Sequence, residues 1–246
     1  MIKMHGAGNT FIVIDETDKD LEKILDKREF VREETLSNNV DGALFIQTDN
    51  GRIKMQYFDR DGTEEMCGNG VRCVARYSYD HGHINKDDFI DTADGLKHVK
   101  IINDKLIEVN MGLPREFKKL SNEMYFVYVG LAHIVKFVNH LNKEDAFREG
   151  REIRYSKNLM DSVNHPEGLH VNFVKFINRS NIELITYEVG VEDITKSCGT
   201  GNIASAYAVL RVKDCKSPVY AHNIGGILEI DLLDGELLLK GPVEYF

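Results

Sequence analysis

Cys67-Gly68-Asn69-Gly70 and Cys198-Gly199-Thr200-Gly201 are one pattern, C-G-x-G, written twice in the chain at an offset of 131 residues. At the same offset Gly95-Leu96 returns as Gly226-Ile227, Val99 as Ile230, Ile101-Ile102 as Leu232-Leu233, and Leu106-Ile107 as Leu237-Leu238. Two unrelated hairpins, each following a helix, would explain the apolar matches alone, because apolar alternation is common. A gapless offset that includes both C-G-x-G turns favours an internal duplication.

Each half reads in the same order. Apolar, partly alternating segments come first: Phe11 to Ile14, Ala43 to Gln47 and Ile53 to Phe58, then Tyr125 to Val138, Val171 to Ile177 and Ile182 to Tyr187. Their β-branched and aromatic content predicts strands. After each C-G-x-G turn the spacing becomes helical. Val71, Val74, Ala75 and Tyr79 share one face, as do Ile203, Ala206, Tyr207 and Leu210. A hairpin turning near Asn103-Asp104 or Asp234-Gly235 closes each half. Gly112-Leu113-Pro114-Arg115 reads as the linker. The charged segments 19–36 and 140–153 read as outer helices. The expected fold class is α/β (α+β): two pseudo-symmetric lobes, each a curved mixed sheet or barrel around a central helix, with the active site in the cleft between them. The lobes are expected at residues 1–113, joined by a last strand at about 237–246, and at 114–236.

Composition narrows the function. Of 246 residues, 42% are hydrophobic and 29% charged, a balance that supports a packed core and argues against disorder. With 31 basic residues against 40 acidic ones, the net charge is −9, and no basic block attracts a phosphate backbone. No nucleic-acid partner is expected. The opening stretch reads as a strand rather than a leader, and no apolar run reaches the roughly 18 residues of a spanning helix. Neither a membrane partner nor a location outside the cytoplasm is expected.

The four cysteines are Cys67, Cys73, Cys198 and Cys215. In a long acidic chain they are poor material for a disulfide framework. Cys67 and Cys73 form C-x5-C, not a usual zinc spacing, and no second cluster follows, so no metal is expected. Cys73 and Cys215 read as small packed hydrophobes.

Cys67 and Cys198 read differently. A thiol at a helix start feels the positive end of the backbone dipole, which favours the thiolate. The glycines after it admit a ligand, and the free amides of the first turn bind an anion such as a carboxylate. Two such sites provide one base and one acid. Inversion at carbon requires that pair, because the proton leaves one face and another returns to the opposite face. The amides would stabilise the carboxylate-enolate that develops. No nucleotide motif and no marked lysine is present, so no cofactor is expected.

With these residues in hand, the chain resembles the diaminopimelate epimerase family over nearly its whole length. The resemblance rests on Lys3-Met4-His5-Gly6-Ala7-Gly8-Asn9 and on Asp61-Gly62-Thr63-Glu64-Glu65-Met66-Cys67-Gly68-Asn69-Gly70-Val71-Arg72-Cys73. It extends through Ser197-Cys198-Gly199-Thr200-Gly201, Gly225-Gly226 and Gly241-Pro242. It implies amino-acid racemisation or epimerisation without pyridoxal phosphate, with Cys67 and Cys198 as the acid/base pair. His133 would support the first cysteine, and Glu188 the second together with the substrate amine. Gly68, Asn69, Gly199 and Thr200 would cradle the α-carboxylate, and Asn9 would line the pocket. Family members are often dimers, so a homodimer is admissible, although no interface is legible.

The far end of the family pocket does not carry over. Where the family holds a second carboxylate with three asparagines and an arginine, this chain has Asp59, Leu131, His170 and Val189. Valine in place of arginine removes the bidentate partner, and Asp59 adds a repelling charge. The expected substrate is an amino acid without a distal carboxylate, basic or heteroaromatic, such as lysine, ornithine, arginine or histidine. The alternatives are diaminopimelate itself with a rebuilt distal site, a proline-racemase-like isomerase, and a non-catalytic binding protein of the same fold.

Overall fold

Residues 199–212 carry small and apolar side chains on nearly every face, and residues 68–80 carry a broad small and apolar face beside Arg72, Arg76 and Asp80; helices of that kind are stable only when that surface is covered. In the computed structural model, which describes residues 1–18, 24 and 26–246, both are enclosed by strands. The chain divides into two units, Met1–Asn110 with Lys240–Phe246, and Met111–Leu239.

The first unit contains β1 (Ile2–Gly6), β2 (Asn9–Asp15), α1 (Lys27–Asn38), β3 (Gly42–Asp49), β4 (Arg52–Asp59), β5 (Glu64–Glu65), α2 (Gly68–Asp80), β6 (Asp87–Thr92), β7 (Gly95–Ile101) and most of β8 (Leu106–Gly112). β1 and β2 pair antiparallel, β2 and β3 parallel, β3 and β4 antiparallel, β4 and β6 parallel, and β6 to β8 antiparallel. The parallel step from β2 to β3 needs a crossover, which α1 supplies. Val31 of α1 packs with Ile12, Ala43, Phe45 and Phe58.

The second unit contains β9 (Glu116–Lys119), β10 (Met124–Tyr128), β11 (Ala132–Phe137), α3 (Lys143–Arg154), α4 (Lys157–Val163), β12 (His170–Asn178), β13 (Asn181–Glu188), β14 (Asp193–Thr195), α5 (Gly199–Val212), β15 (Val219–Asn223), β16 (Gly226–Leu233) and the start of β17 (Glu236–Tyr245). Its pairing order repeats that of the first unit. β10 and β11 are antiparallel, β11 and β12 parallel, β12 and β13 antiparallel, β13 and β15 parallel, and β15 and β16 antiparallel. The crossover from β11 to β12 carries α3 and α4. Ala146 and Ile153 of α3 pack on Phe126, Ile134, Val171 and Tyr187. The far end of β17 belongs to the first unit, where it pairs with β1 and runs beside β8.

The mixed fold with two duplicated halves is as expected from sequence. One element differs. Tyr125 to Val138, read as a single apolar segment, is the hairpin β10–β11, broken at residues 129–131, where Gly130 takes a left-handed φ of 80°. Of the charged segment 19–36, residues 19–23 and 25 lie outside the described residues, and the rest yields α1. Among the described residues no helix is long and apolar enough to cross a membrane.

Candidate active site

Cys67 and Cys198 each occupy the N-cap of their unit's enclosed helix, in extended backbone with φ of −136° and −113°. Each sulfur accepts the amide hydrogen three residues on, Gly70 at 3.3 Å and Gly201 at 3.4 Å. A sulfur thus takes the role that Ser or Asp oxygen usually has at this position, and an ionised sulfur is the better acceptor. Both third positions are too crowded for a larger side chain unless a neighbour shifts. A Cβ at Gly70 would sit 2.7 Å from Leu44 Cδ2, and one at Gly201 would overlap the Asn172 side-chain oxygen. None of the four cysteines is joined in a disulfide.

In the first unit a polar chain sets the thiol. Asn9 Oδ1 accepts from Cys67 Sγ at 3.7 Å and from Asn69 Nδ2 at 3.3 Å, while Asn9 Nδ2 donates to Asp41 at 3.2 Å. Arg72 Nη2 in turn donates to Asn69 Oδ1 at 2.8 Å. Arg72 is fully buried, and its Nε and Nη1 have no hydrogen-bond partner among the described residues. Burial pushes the guanidinium down to about 10, with Cys73 and Cys67 acting in the opposite sense. A buried cation near Cys67 favours its thiolate. At the equivalent position of the second unit stands Ile203, so the two thiols have different electrostatic surroundings. Asp59 closes β4, 2% exposed, and accepts from the Arg60 amide at 2.8 Å. Its pKa is pushed up to about 6, chiefly by burial and further by Asp61 and Asp41, against its hydrogen bonds.

The second unit holds most of the remaining predicted residues. His133 and His170 are register partners on β11 and β12, with ring centroids 4.9 Å apart. Burial lowers His133 well below the usual histidine value, with a contribution from His170, and lowers His170 to about 3. Both rings are therefore neutral. Asn172 Nδ2 donates to His133 Nδ1 at 3.2 Å and the Val189 amide donates to His170 Nδ1 at 3.3 Å, so each ring carries its proton on Nε2. His133 Nε2 is buried without a hydrogen-bond partner among the described residues. Glu188 ends β13, one residue beyond the Val171–Tyr187 register pair. A ring nitrogen of His170, a carboxylate oxygen of Glu188 and Cys198 Sγ all lie within 4.8 Å of one another. The Cys198 sulfur also sits 3.5 Å from the Thr200 hydroxyl. Leu131 and Val189 are half-buried, one residue before β11 and one residue after β13. Gly68, Asn69, Gly199 and Thr200 form the buried first turns of α2 and α5.

Sequence reasoning did not select Asn172, Thr186 or Arg72. Thr186 Oγ1 donates to Asn172 Oδ1 at 2.9 Å, and Asn172 also donates to the Ile134 carbonyl, so this buried amide fixes the His133 tautomer. The available signal was a lone asparagine inside the apolar stretch Val171-Asn172-Phe173-Val174.

The family model described as Diaminopimelate epimerase matches residues 1–116 and 125–245. The chain belongs to the diaminopimelate epimerase family. A diaminopimelate epimerase of Methanocella arvoryzae is 36% identical over 98% of this chain and 92% of its own length. One of Archaeoglobus fulgidus is 34% identical over 97% of this chain and 91% of its own. A hydroxyproline epimerase of Agrobacterium vitis, solved with trans-4-hydroxy-L-proline, matches with a TM-score of 0.69 at 15% identity, covering 100% of this chain and 90% of that one. That likeness concerns the fold. Family membership makes the chain an isomerase of the amino-acid epimerase type.

Proposed function

We propose that the chain inverts the α-carbon of an amino acid that lacks a distal carboxylate, with Cys67 and Cys198 as its two acid/base groups. The observation that carries this reading is the repeated N-cap: two thiols, each bonded to the amide three residues on, at the start of two equivalent helices. One sulfur, as thiolate, removes the α-proton, and the other, as thiol, delivers a proton to the opposite face; the roles exchange in reverse. Arg72 beside Cys67 favours that sulfur as the resting thiolate. The first-turn amides of α2 and α5 stabilise the carboxylate as it takes on enolate character. Glu188, next to Cys198, holds the substrate ammonium.

The substrate class follows from the residues at the distal positions. Val189 offers no cation, Leu131 is apolar and His170 is neutral, so a second carboxylate would lose its charge-assisted partners. A basic or heteroaromatic side chain would instead find Asp59 and an imidazole N–H. The second reading is diaminopimelate itself, favoured by relatives of that name at 34–36% identity along almost the whole chain. Incubation with single L-amino acids and with LL-diaminopimelate in deuterated water, followed by chiral chromatography and mass analysis, separates the readings. Deuterium at Cα with inversion of lysine, ornithine, arginine or histidine is the expected result. Conversion of diaminopimelate alone would reject the substrate class, and no deuterium entry with any substrate would reject the reaction.

A further inference from the structure

We propose that Asn172 is a positioning residue for the reaction: together with Thr186 it holds His133 as a hydrogen-bond donor that cannot serve as a base. The duplication isolates this residue. β3 and β12 each lie between a parallel and an antiparallel neighbour, and each sets one buried side chain against the third residue of its unit's C-G-x-G turn. In the first unit that side chain is Leu44, against Gly70; in the second it is Asn172, against Gly201. Their antiparallel register partners are Tyr57 and Thr186. Leu44 and Asn172 are both fully buried. The helix cap forms against leucine in one unit and asparagine in the other, so the cap itself does not require the amide. A buried amide has to be held by hydrogen bonds, and those bonds show what it is for.

Asn172 Nδ2 donates to the Ile134 carbonyl at 3.0 Å, and a carbonyl can only accept, so this contact fixes which end of the amide is nitrogen. The other Nδ2 hydrogen goes to His133 Nδ1 at 3.2 Å, and Asn172 Oδ1 accepts from Thr186 Oγ1 at 2.9 Å. His133 Nδ1 is therefore an acceptor. Burial keeps the ring neutral, so its one proton sits on Nε2. The ring has an N–H to give and no free lone pair. That Nε2 is buried without a hydrogen-bond partner among the described residues, and a buried donor without an acceptor is costly. An anionic group of the reaction within reach of Nε2 would remove the cost. On the two-thiol reading, on which this use of the ring rests, the anions are a thiolate and a carboxylate with enolate character. A neutral donor stabilises either one and leaves proton abstraction to sulfur.

The test reads the ring and the reaction separately, on the full chain with isotope-labelled histidine. Nuclear magnetic resonance of the ring nitrogens, with His133→Gln to assign the signal, should show a neutral His133 protonated on Nε2. Asn172→Asp replaces the donor at Nδ1 with an acceptor of the same shape, so its spectrum should show Nδ1 protonated. Its kcat for Cα deuterium exchange should fall by a factor of about 10 to 100, the worth of a hydrogen bond to a charged group. Thr186→Val removes the hydroxyl that holds Asn172 Oδ1 and should lower kcat by about fivefold or more, whereas Thr186→Ser should restore it. A wild-type ring protonated on Nδ1 overturns the proposal, as does Asn172→Asp with the proton moved and kcat unchanged. If Asn172→Asp does not fold by circular dichroism, the two Thr186 variants decide, and equal kcat in both overturns it. No exchange on any amino acid would reject the two-thiol reading, while the spectra would still decide whether Asn172 sets the ring.

Discussion

Asp59 carries an energetic signature of its own. Its carboxylate is 2% exposed and its pKa is raised to about 6 by burial, so the folded chain holds this proton more tightly than the unfolded chain does. The stabilising effect of the protonated group is complete below the unfolded value near 3.8 and is lost as pH rises through about 6. Above that the desolvated charge opposes folding by up to about 3 kcal/mol, at 1.36 kcal/mol per pKa unit. Asp59→Asn should therefore raise the denaturant midpoint at pH 8 and leave it nearly unchanged at pH 4, as urea titrations at the two pH values would reveal. A gain of equal size at both would mean that repacking, not charge, is responsible. Nothing in the sequence gives this burial, because it depends on where β4 ends. The same holds for Arg72, an arginine on a helix whose surroundings come from segments far away in the chain.

The enclosed helices were the most legible elements, and their caps separate structure from chemistry. The C-G-x-G turns, the helical spacing after them and the alternating strands before them are local signals, and each produced its element. The break at residues 129–131 and the short helix α4 were not legible, since a seven-residue helix holds too few turns to show a period. The polar set around His133 was hidden for another reason: Asn172 and Thr186 reach it across three adjacent strands. A serine at either cap keeps an acceptor for the amide three residues on, so Cys67→Ser and Cys198→Ser should keep helix stability to within about 1 kcal/mol. Each should lower racemisation by about 100-fold or more, because the hydroxyl is a far weaker acid/base group. Thermal unfolding beside Cα deuterium exchange makes the comparison. Activity and stability falling together would make the sulfurs caps and nothing more.

At the scale of the whole chain, duplication preserved the backbone device and released the side chains around it. Both units repeat the strand-pairing order and the cysteine cap, yet Arg72 of the first has no charged equivalent in the second, where the matching position is Ile203. On the proposed function, the reaction belongs to what was repeated, and substrate choice to what diverged. That proposal assigns specificity to residues near the strand ends, where Leu131, His170 and Val189 stand in place of the amide and guanidinium groups implied by the family resemblance. Val189 gives the sharpest test because it is half-buried and follows Glu188, so a longer side chain there disturbs no core position. Val189→Arg restores a fixed guanidinium able to take a carboxylate through two parallel hydrogen bonds. A charge-assisted contact of about 1.5–3 kcal/mol corresponds to a factor of about 10 to 100. The ratio of kcat/KM for diaminopimelate to that for lysine should rise by that factor, with the Cα exchange chemistry unchanged in kind. A ratio that does not move would mean that the second carboxylate is read elsewhere, and diaminopimelate would then be the better reading of this pocket.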